Sequence, residues 1–299
     1  MRARQLIQDQ SLYTYAKFEH DLMALHAEHP IFSIDKIGTS IQGKSIYEIV
    51  IGDGDQSIHL NGSMHAHESI TTNVLMRFLA DYIDAYENNE SINHINARSM
   101  YNQIKFSIVP LVNPDGVDLI NQGLPQSKSL KNDVLSINQY SHQFAGWKAN
   151  IRGVDLNNQF PAHWEIEQQR KPKQPSPRDF PGFEPLTEPE AIAIYELTIN
   201  KQFDRVLAFH TQGEVIYWGY EGLEPPESEQ IANYYGHVSG YEPIQFVDSH
   251  AGYKDWFIQT FKRPGFTVEL GSGVNPLPIS DLNKFYPQAL SIILANMEV

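Results

Sequence analysis

Cysteine is absent from the 299 residues, so the chain has no disulfides and no thiolate metal site, and any zinc must be held by histidine and carboxylate. Basic residues are scarce as well: 22 Lys and Arg stand against 36 Asp and Glu, a formal charge of −14. That balance argues against a nucleic-acid surface and an anionic membrane surface, both of which need clustered cations. No run approaches the ~18 consecutive apolar residues of a membrane span. Behind Arg2 and Arg4 the apolar segment of a secretory signal is missing too, so a cytoplasmic protein is the expectation. With 41% hydrophobic and 19% charged residues the composition is that of a globular protein with a sizeable core.

What is present is organised around Ile58-His-Leu-Asn-Gly-Ser-Met-His65-Ala-His67-Glu68, an apolar strand running through small residues into metal-type ligands. After it, Val74, Leu75, Phe78, Leu79, Tyr82 and Ile83 recur at helical spacing, which predicts a helix from Ser69 to Ile83. His65, His67 and Glu68 therefore sit at a strand-to-helix junction, where a scaffold holds side chains rigidly at a sheet edge. Elsewhere a helix is predicted over Ser11 to His29, ended by Pro30, and strands over 31–35, 45–51 and 105–112. Asn113-Pro-Asp-Gly116 reads as a tight turn, and the polar stretch from Asn121 to Gln143 as a long loop. The proline-rich segment from Glu165 to Pro189 reads as a structured surface loop between candidate site residues. Helices are expected over 188–200, 227–239 and 280–297, with the strand Arg205 to His210, a hairpin-like continuation over 214–219, and the strand Gly265 to Gly271. Elements alternate as in an α/β fold, here a three-layer α/β/α arrangement with a twisted mixed sheet, in one domain spanning 1–299.

A catalytic zinc takes three protein ligands and keeps one position open. His65, His67 and Glu68 offer candidates from the junction. His210, which ends an apolar strand where a histidine needs a partner, is the best third. Glu269 stands between Val268 and Leu270; a carboxylate there is either half of a buried ion pair or a general base whose pKa its surroundings have moved.

His65-Ala-His-Glu68, Asn113-Pro-Asp-Gly116, Gly153-Val-Asp-Leu-Asn157, His210 and Phe266-Thr-Val-Glu-Leu270 together resemble the ordered motif set of the zinc carboxypeptidase family, the M14 metallopeptidases. Tyr13-Thr-Tyr-Ala and Ile37-Gly-Thr-Ser-Ile-Gln-Gly43 resemble the family's beginning. The resemblance implies one Zn²⁺ at His65, Glu68 and His210, with His67 a spacer. It makes Glu269 the general base toward a water activated by the metal, and Asp155 the carboxylate that orients His65. A cation for the developing oxyanion is expected from Lys148, after Trp147, or from Arg152. The substrate-facing set is Asn157, Asn158, Lys254 and Tyr217.

Two departures point within the family. Carboxypeptidases have Asn-Arg where this chain has Asn157-Asn158, and a neutral amide cannot replace a guanidinium that grips a C-terminal carboxylate. The tyrosine that caps the substrate has no match near Phe246, Val247 and Asp248. Gly153 to Pro161 and Gly252-Tyr-Lys-Asp-Trp256 instead resemble the bacterial branch that cleaves γ-D-glutamyl bonds to diamino acids, with Lys254 where the specificity pocket reads the side chain. The expected substrates are thus peptidoglycan-derived peptides cut at the γ-D-glutamyl–diaminopimelate amide. A carboxypeptidase of ordinary peptides and a non-catalytic binding protein of the same fold are the rivals; no oligomeric state follows from the sequence.

Overall fold

The computed structural model describes residues 1–7 and 10–299. Helix α1 (Tyr15–Glu28) starts where the Thr14 hydroxyl accepts the Lys17 N–H, and Pro30 lies just beyond its end. Strands β1 (Phe32–Thr39) and β2 (Ser45–Ile51) form an antiparallel pair, closed by a turn in which Gly43 takes a positive φ of 82°. Strand β3 (Gln56–Asn61) leads through the ligand motif into α2 (Ile70–Asn88). A short ladder of β4 (Ser91–Ile92) and β5 (Ile95–Asn96) precedes α3 (Ala97–Gln103) and β6 (Ile104–Val109). Four helices follow: α4 (Pro114–Gln122), α5 (Lys128–Ile137), α6 (Trp164–Arg170) and α7 (Pro189–Lys201). The remaining elements are β7 (Arg205–His210), β8 (Val215–Tyr217), α8 (Glu227–Ser239), β9 (Glu242–Ile244), α9 (Tyr253–Phe261), β10 (Gly265–Glu269) and α10 (Leu282–Ala295).

Eight strands join in one mixed sheet in the order β1-β2-β6-β3-β7-β10-β8-β9. The centre, β6-β3-β7-β10, is parallel, and β2 and β8 add to its two sides antiparallel. Alternation along β7 shows why the sheet is covered on both faces. Leu207 and Phe209 join α2, α8 and α10 in one apolar layer, while Val206 and Ala208 join α7 and α9 in the other. Fully burying Val206, Leu207 or Phe209 contributes about 1.5–3 kcal/mol each. Because β3 pairs with β7, the first and second halves of the chain share one ladder, which aligns the ends of β3, β7 and β10 at one edge.

Three local expectations are corrected. Asn113-Pro-Asp-Gly116 is a helix start rather than a tight turn: Pro114 fills the first helical position, and the Asn113 side chain accepts the Gly116 N–H at 3.0 Å. The stretch from Asn121 to Gln143 contains α5, whose apolar stripe of Leu130, Val134 and Ile137 is short and buries only Val134 fully. And β8 is no hairpin partner of β7; it lies antiparallel to β10, Tyr217 opposite Thr267 and Val215 opposite Glu269. The proline-rich segment carries α6 and is pinned by backbone bonds described below. Among the described residues no helix is long and apolar enough to cross a membrane.

Candidate metal centre and active site

Beyond β3 the backbone turns sharply enough that a side chain at Gly62 would place its Cβ 2.9 Å from the Thr71 hydroxyl. The Ser63 N–H donates to that hydroxyl at 2.7 Å and the Ser63 hydroxyl lies 2.7 Å from that of Thr72, which fixes the loop against the start of α2. Asn113 is the cross-tie: its Nδ2 donates to the Met64 carbonyl at 3.2 Å and the Ala149 carbonyl at 3.1 Å. One side chain thereby locks the segment of His65 to that of Lys148, an attachment reinforced by the Ala66 N–H donating to the Lys148 carbonyl. Gly116 has to be glycine, since a Cβ would lie 2.7 Å from the Ala149 carbonyl oxygen. Trp147 is fully buried and its indole N–H donates to the Asn150 carbonyl at 3.0 Å, anchoring the opposite wall.

On this frame His65, Glu68 and His210 converge, one ligand atom from each lying within 4.8 Å of the others, all three buried. His65 Nδ1 is 2.9 Å from Glu68 Oε1, His210 Nδ1 is 2.9 Å from Glu68 Oε2, and the two ring nitrogens are 3.1 Å apart. Glu68 sets one carboxylate oxygen against each ring nitrogen, so the three side chains are held around a common centre. A tetrahedral zinc would separate its nitrogen ligands by about 3.3 Å, so the set fits one zinc ion with little movement. Behind it runs a chain of charges. His65 Nε2 is 3.2 Å from Asp155 Oδ1, and Lys148 Nζ is 2.7 Å from Asp155 Oδ2 and 2.8 Å from Asp179 Oδ1. Burial opposes ionisation of Glu68 and Asp155, yet the histidines beside the first, and Lys148 and His65 beside the second, hold both carboxyls well below the usual range. Burial likewise pulls His65 down, but Glu68 and Asp155 outweigh it and raise the imidazole to about 9. His210, with less compensation, is pulled down by burial.

Glu269 ends β10 in register with His210 at the end of β7. Its half-buried carboxylate has no hydrogen-bond or ion-pair partner among the described residues, and desolvation together with the Glu68 charge pushes it up to about 8. Tyr217 lies across the sheet on β8, its phenol raised by burial and by the Glu269 charge. Lys254 is buried at the start of α9, donating to the Gly219 carbonyl at 2.6 Å and paired with Asp255 at 2.7 Å. Asn157 Oδ1 accepts the Tyr253 N–H at 3.0 Å and so ties Gly153-Val-Asp-Leu-Asn157 to α9. Arg152 is not brought to the metal set: its guanidinium is half-exposed and bound to Glu188 at 2.6 and 3.0 Å, on the wall of a separate, mostly apolar cavity of about 550 Å³. His67 is not among the converging three: its Nε2 lies 3.2 Å from Arg178 Nη1, its Nδ1 stays 3.8 Å from Glu68 Oε1, and burial pulls it down to about 4.

Sequence reasoning overlooked what the proline-rich segment brings to the site. Lys171 Nζ donates to Asn158 Oδ1 at 2.7 Å and pairs with Glu167 at 3.0 Å, placing a cation at the position whose lack of arginine was noted above. Arg178 reaches His67, and Asp179 holds Lys148. One signal was available: Arg170, Lys171, Lys173 and Arg178 concentrate there in a chain with only 22 basic residues.

Comparison with known proteins agrees with this geometry. Residues 18–297 match the family model for zinc carboxypeptidases, peptidase family M14. The chain is 52% identical to gamma-D-glutamyl-L-diamino acid endopeptidase 1 of Lysinibacillus sphaericus, over 98% of its own length and 74% of that protein. It is 42% identical to the uncharacterized protein YqgT of Bacillus subtilis, over 96% of its length and 77% of that protein. Among solved structures, carboxypeptidase A from Helicoverpa armigera superposes with a TM-score of 0.73 over 97% of this chain and 74% of that one; at 19% identity this likeness speaks to the fold alone. A buried His-Glu-His set at the ends of β3 and β7, a carboxylate at the end of β10 and a family match over nearly the whole length converge on one conclusion: the chain belongs to the M14 zinc carboxypeptidase family.

Proposed function

We propose that this protein is a metallopeptidase that hydrolyses the γ-D-glutamyl–diaminopimelate amide of peptidoglycan-derived peptides, its 299 residues working as one catalytic unit. The observation that carries this reading is the convergence of His65, Glu68 and His210 beside the unpartnered Glu269, in a chain half identical to an endopeptidase named for that bond. Held by those three side chains, a zinc ion would polarise the scissile carbonyl and lower the pKa of a water, so the amide is opened without a covalent enzyme intermediate. Glu269 takes the water's proton and passes it to the departing amine, a role for which a carboxylate with no competing partner is suited. Asp155 fixes the His65 ring so that Nδ1 faces the metal, and Lys148, spanning Asp155 and Asp179, keeps Asp155 ionised and in place. Of the two cations expected near the oxyanion, Lys148 is the one we assign, since it stands behind His65 through Asp155, whereas Arg152 lies on the wall of a separate cavity.

The substrate class is tested by incubating L-Ala-γ-D-Glu-diaminopimelate beside a blocked dipeptide and identifying products by mass. Release of free diaminopimelate with the dipeptide untouched is expected; cleavage of the dipeptide alone would replace this reading with an ordinary carboxypeptidase. Lys254 is proposed to meet the carboxylate of the diamino acid. Its ammonium spends two N–H groups on Gly219 and Asp255 and keeps one. Lys254→Ala should cost acidic diamino-acid substrates about tenfold more in kcat/KM than neutral analogues, the range of a charged hydrogen bond. Equal losses for both would rule that role out.

A further inference from the structure

The cations around the cleft are mostly paired. Lys148 has Asp155 and Asp179; Arg170 has Glu167 and Asp248; Lys171 shares Glu167, and Lys254 has Asp255. Arg178 differs. It is exposed, and no carboxylate pairs with it among the described residues; its Nη1 lies 3.2 Å from His67 Nε2 and 3.4 Å from the Gly146 carbonyl. The segment that carries it is held firmly. The Pro177 carbonyl accepts the N–H groups of both Lys148 and Ala149, the Phe180 carbonyl accepts that of Asp155, and the Ser176 N–H donates to Gly153. Between these anchors Asp179 takes a positive φ of 64°, and its side chain binds Lys148. A tethered arginine with no counter-ion, in a chain of charge −14, is a receptor for an anion brought by the ligand.

Its place tells which anion. His65 and His67 follow β3, His210 ends β7 and Glu269 ends β10; Arg178, on His67, thus stands toward the β3 end of the metal set and Glu269 at its β10 end, the two strands being two places apart, roughly 10 Å. Glu269 delivers a proton to the leaving amine, and the Lys254 stem packs against Gly265 at the start of the same strand, β10. The side of Arg178 is therefore left for the acyl half of the substrate. A γ-linked glutamyl residue differs there from most α-linked residues: it carries a free α-carboxylate four single bonds, roughly 5 Å, from the scissile carbonyl carbon. An α-linked residue offers a carboxylate at that distance only where its own side chain is glutamate; any other presents none there.

We infer that Arg178, braced by His67 and Gly146, is the specificity residue that binds the free α-carboxylate of the γ-D-glutamyl residue. The inference rests on the function proposed above and names what selects the γ bond.

The test compares L-Ala-γ-D-Glu-diaminopimelate with its γ-D-isoglutaminyl counterpart, in which the α-carboxylate is a carboxamide. The native enzyme should prefer the acid, chiefly through KM. Arg178→Gln should cost the acid about 10- to 100-fold more in kcat/KM than the amide, and Arg178→Lys should recover part of that difference, with zinc content unchanged in both. Equal losses on the two substrates, or a native enzyme that cleaves acid and amide equally well, would overturn the role of Arg178 while leaving the peptidase reading intact. Native enzyme that cleaves neither would overturn the proposed function, and this role with it. If the glutamine variant does not fold, the native preference and the lysine variant still decide.

Discussion

Glu269→Gln should lower kcat on the γ-D-glutamyl peptide by about 10³-fold or more while leaving the protein folded and zinc bound. General-base assistance is worth about 10²- to 10⁴-fold, and this carboxylate has no other task in the structure. It makes no hydrogen bond or ion pair among the described residues, and it is not one of the three converging ligands. The glutamine is isosteric, so no cavity opens and no buried partner is orphaned. Metal-free stability should respond in the opposite sense to activity. A carboxyl pushed up to about 8 binds its proton more tightly in the folded chain than in the unfolded one, so it erodes stability as pH rises from its ordinary range toward 8. Replacing it removes that loss, and metal-free Glu269→Gln should melt at or above the native temperature at pH 8. Turnover within tenfold of native, with zinc present, would remove Glu269 as the base.

The converging set of His65, Glu68 and His210 was legible because the constraint on it is local and chemical: a histidine ending an apolar strand and a His-x-x-Glu pattern after another each need a reason. The geometry adds the reason that one of three candidates drops out. His67 is one residue from Glu68, yet its Nε2 meets Arg178 and its Nδ1 stays 3.8 Å from Glu68 Oε1, the oxygen that His65 Nδ1 approaches to 2.9 Å. The sheet was legible from its apolar strands. Asn113-Pro-Asp-Gly116 was not read for what it does, since its work lies in contacts to Met64 and Ala149, far off in the chain, and no local pattern reports them. The same holds for the proline-rich segment. Its prolines mark extended backbone, but only its bonds to residues 148–155 show that it forms a wall of the cleft and carries Lys171, Arg178 and Asp179. Arg152, by contrast, had the right charge a few residues from Lys148, and the structure pairs it with Glu188 instead.

Zinc affinity should fall between pH 8 and pH 5 by about tenfold per unit for each proton that binding displaces, so by about a thousandfold through His65 alone and by more with Glu269, because ligands must lose their protons to bind. Without metal, Glu68 and Asp155 hold His65 at about 9, so across that range the ring is an imidazolium and a proton must leave before Nδ1 can bind. The proton on Nε2 stays, directed at Asp155 Oδ1 3.2 Å away, and fixes the tautomer that leaves the Nδ1 lone pair free. Glu269 contributes a second proton near pH 7. It is raised to about 8 by burial and by Glu68, and a dication set against Glu68 reverses that charge and draws the carboxyl back down. Calorimetric titration of the metal-free protein with Zn²⁺, repeated in buffers of different ionisation heat, should therefore show close to two protons released per ion at pH 7 in the native protein and close to one in Glu269→Gln. Activity stripped by a chelator in mild acid should return with added zinc. An affinity that does not change from pH 8 to pH 5 would mean that His65 meets the metal already neutral, and that the carboxylates on either side of it serve to orient the ring without holding its proton.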